Sequence, residues 1–353
     1  MDAEPEYIRN MLLDVLSSEE ALACDAVLLS GGLDTSIASE AVKLHIDNRD
    51  DSKLRTAITL TIDPQQNSLA NSNNLFVQEP QDVVYARRIA HRLCLEHHIL
   101  TPTLDELLAG EALDMCVRVL GTFDGMELRN AVVIATALMQ AKKLGCTRVL
   151  TGDGADELFA GYSFMHSMND DDLPRYTKNM VKTMSFCAFP LAADLGIKVW
   201  SPFLDPRVVE YATSDRGGLK SIKVGEFDGS VHGKLVLRKA FPEVISAARK
   251  KEPIECGSGT TVLPKLAELL VSDSTFQQEK REALEKYDLV VRDKEHLLYF
   301  RRFRAAVLDS PEALARMKRY GPDDTCPDCK FRLKDGSSFC NVCGLYPARP
   351  ISK

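Results

Sequence analysis

The stretch CDAVLLSGGLDTS, residues 24–36, runs from an apolar segment through two glycines into residues suited to open a helix. CDAVLL (Cys24–Leu29) has the length and apolar character of a buried strand, and Asp34–Lys43 is compatible with a helix. Between them, Gly31 and Gly32 let the main chain approach a ligand without interference from a Cβ. The free N–H groups of a first helical turn, together with the positive end of its dipole, make an anion site. Ser30, Thr35 and Ser36 add hydroxyl donors. Asp34 suits a polyanion site if a Mg²⁺ lies between, because that ion is usually held by a carboxylate together with phosphate oxygens. A glycine turn followed by an Asp- or Ser-capped helix is the purely structural reading of the same residues.

Working outward, Tyr7, Ile8, Met11, Leu12, Val15 and Leu16 recur at helical spacing within residues 1–23. TAITLTI (Thr56–Ile62) reads as a second strand, and the polar NSLANSNN (Asn67–Asn74) as a loop. A helix is expected from Gln81 to Glu96, a third strand over His97–Leu100, and a helix over residues 127–144. CTRVLTG (Cys146–Gly152) is expected to be a fourth strand, and residues 165–315 to be mostly helical, interrupted by SPFLDP (Ser201–Pro206) and GSVHGK (Gly229–Lys234). Strands alternating with helices imply an α/β fold, a parallel sheet covered by helices on both faces. In such folds ligands bind beyond the carboxyl ends of the strands. Two motifs, at 30–36 and 151–162, fall at that edge.

The second motif is TGDGADELFAGY, residues 151–162. Asp153, Asp156 and Glu157 place three carboxylates within five residues. They repel one another unless a cation or shifted protonation intervenes. A divalent ion is therefore expected here, with a merely acidic loop as the alternative.

SGGLDTS resembles the pyrophosphate loop of the ATP pyrophosphatases, and TGDGADELFAGY resembles the signature of the asparagine synthetase family. Further elements resemble that family in the same order. They are Asp82 within EPQDVVYARRIAHRL, TFDGMELRN (Thr122–Asn130), SPFLDPRVVEYA (Ser201–Ala212), GKLVLRKAF (Gly233–Phe241) and Arg249-Lys250-Lys251-Glu252. The resemblance covers about residues 24–260 and implies an adenine nucleotide alpha hydrolase-like sheet. It implies ATP and Mg²⁺ as cofactors, with Ser30, Gly31, Gly32, Asp34, Thr35, Ser36, Gly152 and Asp156 at the nucleotide and Asp34 and Asp156 at the metal. Leu28 and Ile62 are the implied adenine neighbours, although both are equally compatible with an apolar core. It further implies a pyrophosphate-binding lysine at Lys251, with adjacent Lys250 the alternative. Asp153 stands where the family has an acid–base glutamate, so its carboxylate is set back by about 1.5 Å. The implied activity is AMP-forming amide ligation, with asparagine as product if the substrates are aspartate and ammonia. Modification of tRNA or another macromolecule and a non-catalytic ATP-binding scaffold are the alternatives.

The domain organisation expected is an N-terminal helix over 1–23, a synthetase-like domain over 24–320 with its helical part about 165–320, and a small module over 321–353. Glutamine-dependent relatives begin with a catalytic cysteine in a glutaminase domain. Here Asp2 is the second residue and 23 residues precede the first strand. The expected nitrogen source is accordingly ammonia, a separate glutaminase subunit or an amine substrate.

In the C-terminal module, Cys326, Cys329, Cys340 and Cys343 form CxxC-x10-CxxC. Two such knuckles suit a closed tetrahedral Zn²⁺ site, hence a structural zinc ribbon. Lys330, Arg332, Lys334 and Arg349, with Phe331, Phe339 and Tyr346, make RNA or protein contact conceivable for it. The other six cysteines are scattered singly through apolar stretches, which points to reduced thiols and a reducing compartment. A net charge of −7 argues against an extended nucleic-acid surface. There is neither a signal-like N-terminus nor an apolar run of membrane length, so the expected location is cytoplasmic.

Overall fold

A computed structural model describes residues 3–46, 52–63, 80–316 and 324–349. The loop expected at Asn67–Asn74 and most of the linker at 321–324 lie outside them. The chain divides into two compact units, one of Met1–Thr61, Pro80–Leu100 and Ala137–Ser258, the other of Ile62–Glu79, Thr101–Thr136 and Gly259–Lys353.

The first unit is built on a five-stranded parallel sheet with strand order β3-β2-β1-β4-β5. The strands are β1 (Ala26–Leu28), β2 (Thr56–Leu60), β3 (Glu96–Leu100), β4 (Arg148–Leu150) and β5 (Lys198–Trp200). Successive strands leave β1 in one direction as far as β3, and β4 and β5 then add on its other side. The switch in strand order therefore falls between β1 and β4, where a crevice opens beyond the strand ends. Asp25 fixes the pairing there: its carboxylate accepts from Thr147 N at 2.8 Å, Thr147 Oγ1 at 2.8 Å and Arg148 N at 3.2 Å.

The Leu33–Ala41 helix follows β1 and continues as a π-helical turn over Val42–Ile46. All its residues except Asp34 are buried. The N-terminal helix, Ala3–Leu16, buries Ile8, Leu12, Val15 and Leu16 in the core it shares with Val236, Leu237 and Phe241. Arg9 ties it to the Leu235–Ala240 helix, donating to Ala240 O at 2.6 Å and pairing with Glu243 at 2.7 Å.

The chain after residue 165 is mostly helical, as expected, and two short strand features interrupt it. β5 is only three residues long, too short for a periodic signal, and its place in the sheet comes from pairing with β4. The second is a hairpin of β6 (Gly225–Phe227) and β7 (Ser230–His232), joined at Asp228-Gly229. Both turn residues have positive φ, 54° and 74°, as a two-residue turn with the twist of its strands requires.

The second unit contains the helices Leu104–Ala109, Glu111–Leu120, Leu263–Leu270, Asp273–Tyr287 and Lys294–Phe303, together with the C-terminal cysteine module. The division between units falls inside the Gly125–Lys143 helix. Among the described residues, no helix is long and apolar enough to cross a membrane.

Truncating Leu12 to alanine should cost about 2–5 kcal/mol in urea unfolding, as expected for a fully buried leucine. Asn10→Ala on the exposed face of the same helix should change stability by less than about 0.5 kcal/mol.

Candidate functional site

The loops after β1 and β4 flank the switch point, and a third segment, Gly233-Lys234, closes on them. Lys234 starts the Leu235–Ala240 helix from a left-handed backbone conformation, φ 56°. Its ammonium reaches Asp34 Oδ2 at 2.5 Å and Asp156 Oδ1 at 2.7 Å. On the other side of Asp156, Oδ2 pairs with Lys251 at 3.1 Å. Residues about 200 positions apart in the chain thus share one charged cluster. Close approach is possible because residue 161 is glycine: a Cβ there would overlap Asp156 Oδ1 and crowd Lys234 Cε.

The electrostatics of the two carboxylates diverge. Burial drives the Asp34 carboxyl above its usual range, against the pull of Lys234 and with Asp156 adding to the rise. Burial acts on Asp156 as well, but Lys234 and Lys251 together outweigh it and hold that carboxyl low. Asp34 Oδ1 is buried and has no hydrogen-bond partner among the described residues.

The first loop is pinned from within. Ser30 Oγ accepts from Gly32 N at 3.2 Å and lies 3.3 Å from Thr35 Oγ1. Ser36 is turned inward, donating to Gly32 O at 2.6 Å and lying 2.9 Å from Ser246 Oγ, which in turn donates to Gly31 O at 2.6 Å. Ser36 is therefore engaged within the protein, whereas Ser30, Gly32 and Asp34 line the crevice. Gly152 packs against Asp34 and Thr35. Leu28 is partly exposed in β1; Ile62 is buried and belongs to the second unit, so the two are not brought together within one unit.

Asp153 lies in the β4 loop, its Oδ2 accepting from Thr151 Oγ1 at 2.9 Å and its carbonyl from Ser201 Oγ at 2.7 Å. Burial, reinforced by Glu157, Asp34 and Asp156, pushes its carboxyl up to about 6 against the Thr151 hydrogen bond. Glu157 is likewise raised, chiefly by burial, and accepts from Tyr162 Oη at 2.5 Å.

On the opposite wall, Arg249 donates to Asp82 Oδ1 at 2.7 Å, to Glu252 Oε2 at 3.0 Å and to Ser30 O at 3.1 Å. Its guanidinium lies over the Tyr85 ring at 4.7 Å. Asp82 is pushed up to about 6 by burial despite that partner. Arg238 donates to the carbonyls of Gly233, Ala247 and Arg249 and so holds the segment that carries Lys251. Lys250 and Lys251 both line the crevice, but Lys251 is the one that pairs with Asp156.

Lys234 and Arg249 were missed by sequence reasoning as site residues. Both lie in segments noted there, Gly233–Phe241 and Arg249–Glu252. What was invisible is the left-handed start at Lys234, which swings its side chain to the carboxylates.

In the second unit, Cys326, Cys329, Cys340 and Cys343 are all buried, with their sulfur atoms within 4.8 Å of one another. That is a set of donors able to hold a metal ion.

Residues 25–190 match the asparagine synthase family model. The chain is 28% identical over 318 residues to a probable glutamine-hydrolysing asparagine synthetase of Dictyostelium discoideum, covering 84% of this chain and 54% of that protein. It is 28% identical over 263 residues to asparagine synthetase B (glutamine-hydrolysing) of Escherichia coli, covering 71% and 44%. It is 30% identical over 289 residues to glutamine-hydrolysing asparagine synthetase 1 of Saccharomyces cerevisiae, covering 72% and 49%. The chain spans about half the length of the curated relatives it matches. Four of the five sheet strands, β1 to β4, and the loops after β1 and β4 lie inside residues 25–190, the segment that matches the asparagine synthase family model.

Proposed function

We propose that this chain is an ATP-dependent, AMP-forming carbon–nitrogen ligase that activates a carboxylate such as aspartate by adenylation, for attack by ammonia or an amine. The observation that carries this reading is the convergence of Asp34 and Asp156 on Lys234 at the switch point, with Lys251 on the far side of Asp156. The relatives' names, asparagine synthetase, support aspartate as carboxylate and asparagine as product.

In this reading the N–H groups opening the Leu33–Ala41 helix face phosphate, and Leu28 borders the adenine. Asp34 and Asp156 would hold Mg²⁺, and their chemistry fits: the pair already shares one cation, the Lys234 ammonium, and Asp34 Oδ1 has no hydrogen-bond partner among the described residues. Such an ion would supply charge neutralisation on the phosphates. The substrate carboxylate oxygen bonds to the α phosphorus as the bond to the β-phosphate oxygen breaks, and pyrophosphate leaves. Lys251, Lys234 and the loop N–H groups stabilise the charge that develops on it. The amine then attacks the acyl carbon of the adenylate, the carbon–oxygen bond to AMP breaks and AMP leaves, and Asp153 accepts the amine's proton. The nitrogen comes from free ammonia or from a separate glutaminase subunit.

Incubation with Mg-ATP, aspartate and ammonia should release AMP and pyrophosphate, with release depending on the carboxylate. Lys251→Met and Asp156→Asn should each lower it by about 100-fold or more. Formation of ADP, or no AMP with any carboxylate despite nucleotide binding, would contradict the proposal.

Asp153 supplies a pH test. A base titrating at about 6 is competent above that pH and loses competence as pH falls through it. The ratio of wild-type to Asp153→Asn ligation rates should rise about tenfold per pH unit below about pH 6 and level off above. Taking a ratio cancels the titration of the nitrogen nucleophile itself. A ratio that stays flat from about pH 5 to about pH 8 removes Asp153 from the proton transfer.

A further inference from the structure

We propose that Cys326, Cys329, Cys340 and Cys343 bind one Zn²⁺, and that this ion fastens the core of the second unit rather than a free-standing tail. The four thiols are buried and unbridged, with Cys326 and Cys343 sulfurs 3.6 Å apart and Cys329 and Cys340 sulfurs 3.5 Å apart. Four thiolates leave no open position on a tetrahedral ion, so the site takes a soft divalent metal in a structural role.

The two knuckles have the same internal build. Each closes with a residue of positive φ four positions after its first cysteine, Lys330 at 61° and Gly344 at 74°. The N–H of that residue returns to the carbonyl of the first cysteine, Lys330 to Cys326 at 2.9 Å and Gly344 to Cys340 at 2.8 Å. A lysine in the left-handed region is uncommon, and its presence at the equivalent place shows that the turn itself is demanded.

What separates this arrangement from a tethered ribbon is where the knuckles' remaining carbonyls go. Asp328 O accepts from Val290 N at 2.9 Å. Val342 O accepts from Phe123 N at 2.8 Å and from Thr122 Oγ1 at 3.1 Å. Arg292 donates to Cys343 O and pairs with Asp328 at 3.4 Å, touching both knuckles at once. Residue 344 must be glycine, since a Cβ there would overlap the Asp124 carboxylate that receives the N–H groups of Met126 and Glu127. Buried aromatic rings continue the contact: Phe331 meets Phe303 at 5.8 Å, and Phe123 meets Phe303 at 4.8 Å and His296 at 4.7 Å. The segments 122–127 and 290–296 therefore take part of their order from the knuckles.

The test uses the full chain as purified. Metal analysis should find about one zinc per chain, the stoichiometry of one closed four-thiolate site. Zinc is then stripped with phenanthroline until metal analysis finds it gone, and amide hydrogen exchange is followed by mass spectrometry before stripping, after it and after zinc is restored. Peptides covering 121–128 and 288–296 should exchange about tenfold faster or more without zinc and recover when it returns, together with the peptides of 324–349. Iron or no metal in the purified protein, or faster exchange confined to 324–349, would overturn the proposal.

Discussion

The Lys234 ammonium, held between the carboxylates of Asp34 and Asp156, is the constraint on which the first unit's site depends. Three chain segments meet there: the turn after β1, the turn after β4 and the entry to the Leu235–Ala240 helix. Leu33, Leu158 and Val236 join the three segments in one apolar core, and the ion pairs at Lys234 add the polar contact at its edge. The left-handed backbone at Lys234 and the absence of a side chain at Gly161 are local concessions that make the meeting possible.

Stability is a poor explanation for this cluster. Lys234 is almost fully buried, and taking such charges out of water offsets much of what their attraction returns. Apolar side chains of similar volume could fill the space at no greater cost. The same fold already has an ample apolar core, anchored by Ile8, Leu12, Val15 and Leu16 on one side of the sheet's helices and Phe203 and Phe241 among the rest. A costly ionic cluster at the switch point, with carboxyls displaced in opposite directions, is the pattern expected where charge on a ligand must be met.

Much of this was legible in the sequence because the phosphate-type loops are local objects. Apolar strand, glycine turn and helix opening are contiguous in residues 24–41, and the acidic turn after β4 is contiguous in 151–158, so the sheet edge and its two motifs could be placed from the chain alone. Asp34, Asp156 and Lys251 fall together in the structure. Lys234 did not announce itself, because its contribution comes from a positive φ that a lysine rarely adopts. β5 was lost for a different reason, being three residues that are a strand only by pairing with β4. The β6–β7 hairpin, by contrast, carried a readable signal in Asp228-Gly229. The hydroxyl of Ser36, expected among the ligand-facing donors, bonds inward instead, because a helical serine can donate one turn back to the carbonyl four residues before it, here Gly32 O.

The central claim is that a carboxylate oxygen attacks the α phosphorus of ATP within this crevice. The most direct measurement is isotope transfer from aspartate labelled with ¹⁸O in its side-chain carboxylate, incubated with Mg-ATP and ammonia and read by mass spectrometry of the nucleotide and phosphate products. The account predicts one ¹⁸O atom in the phosphate of AMP. AMP without label, or ADP with the label in inorganic phosphate, would contradict it.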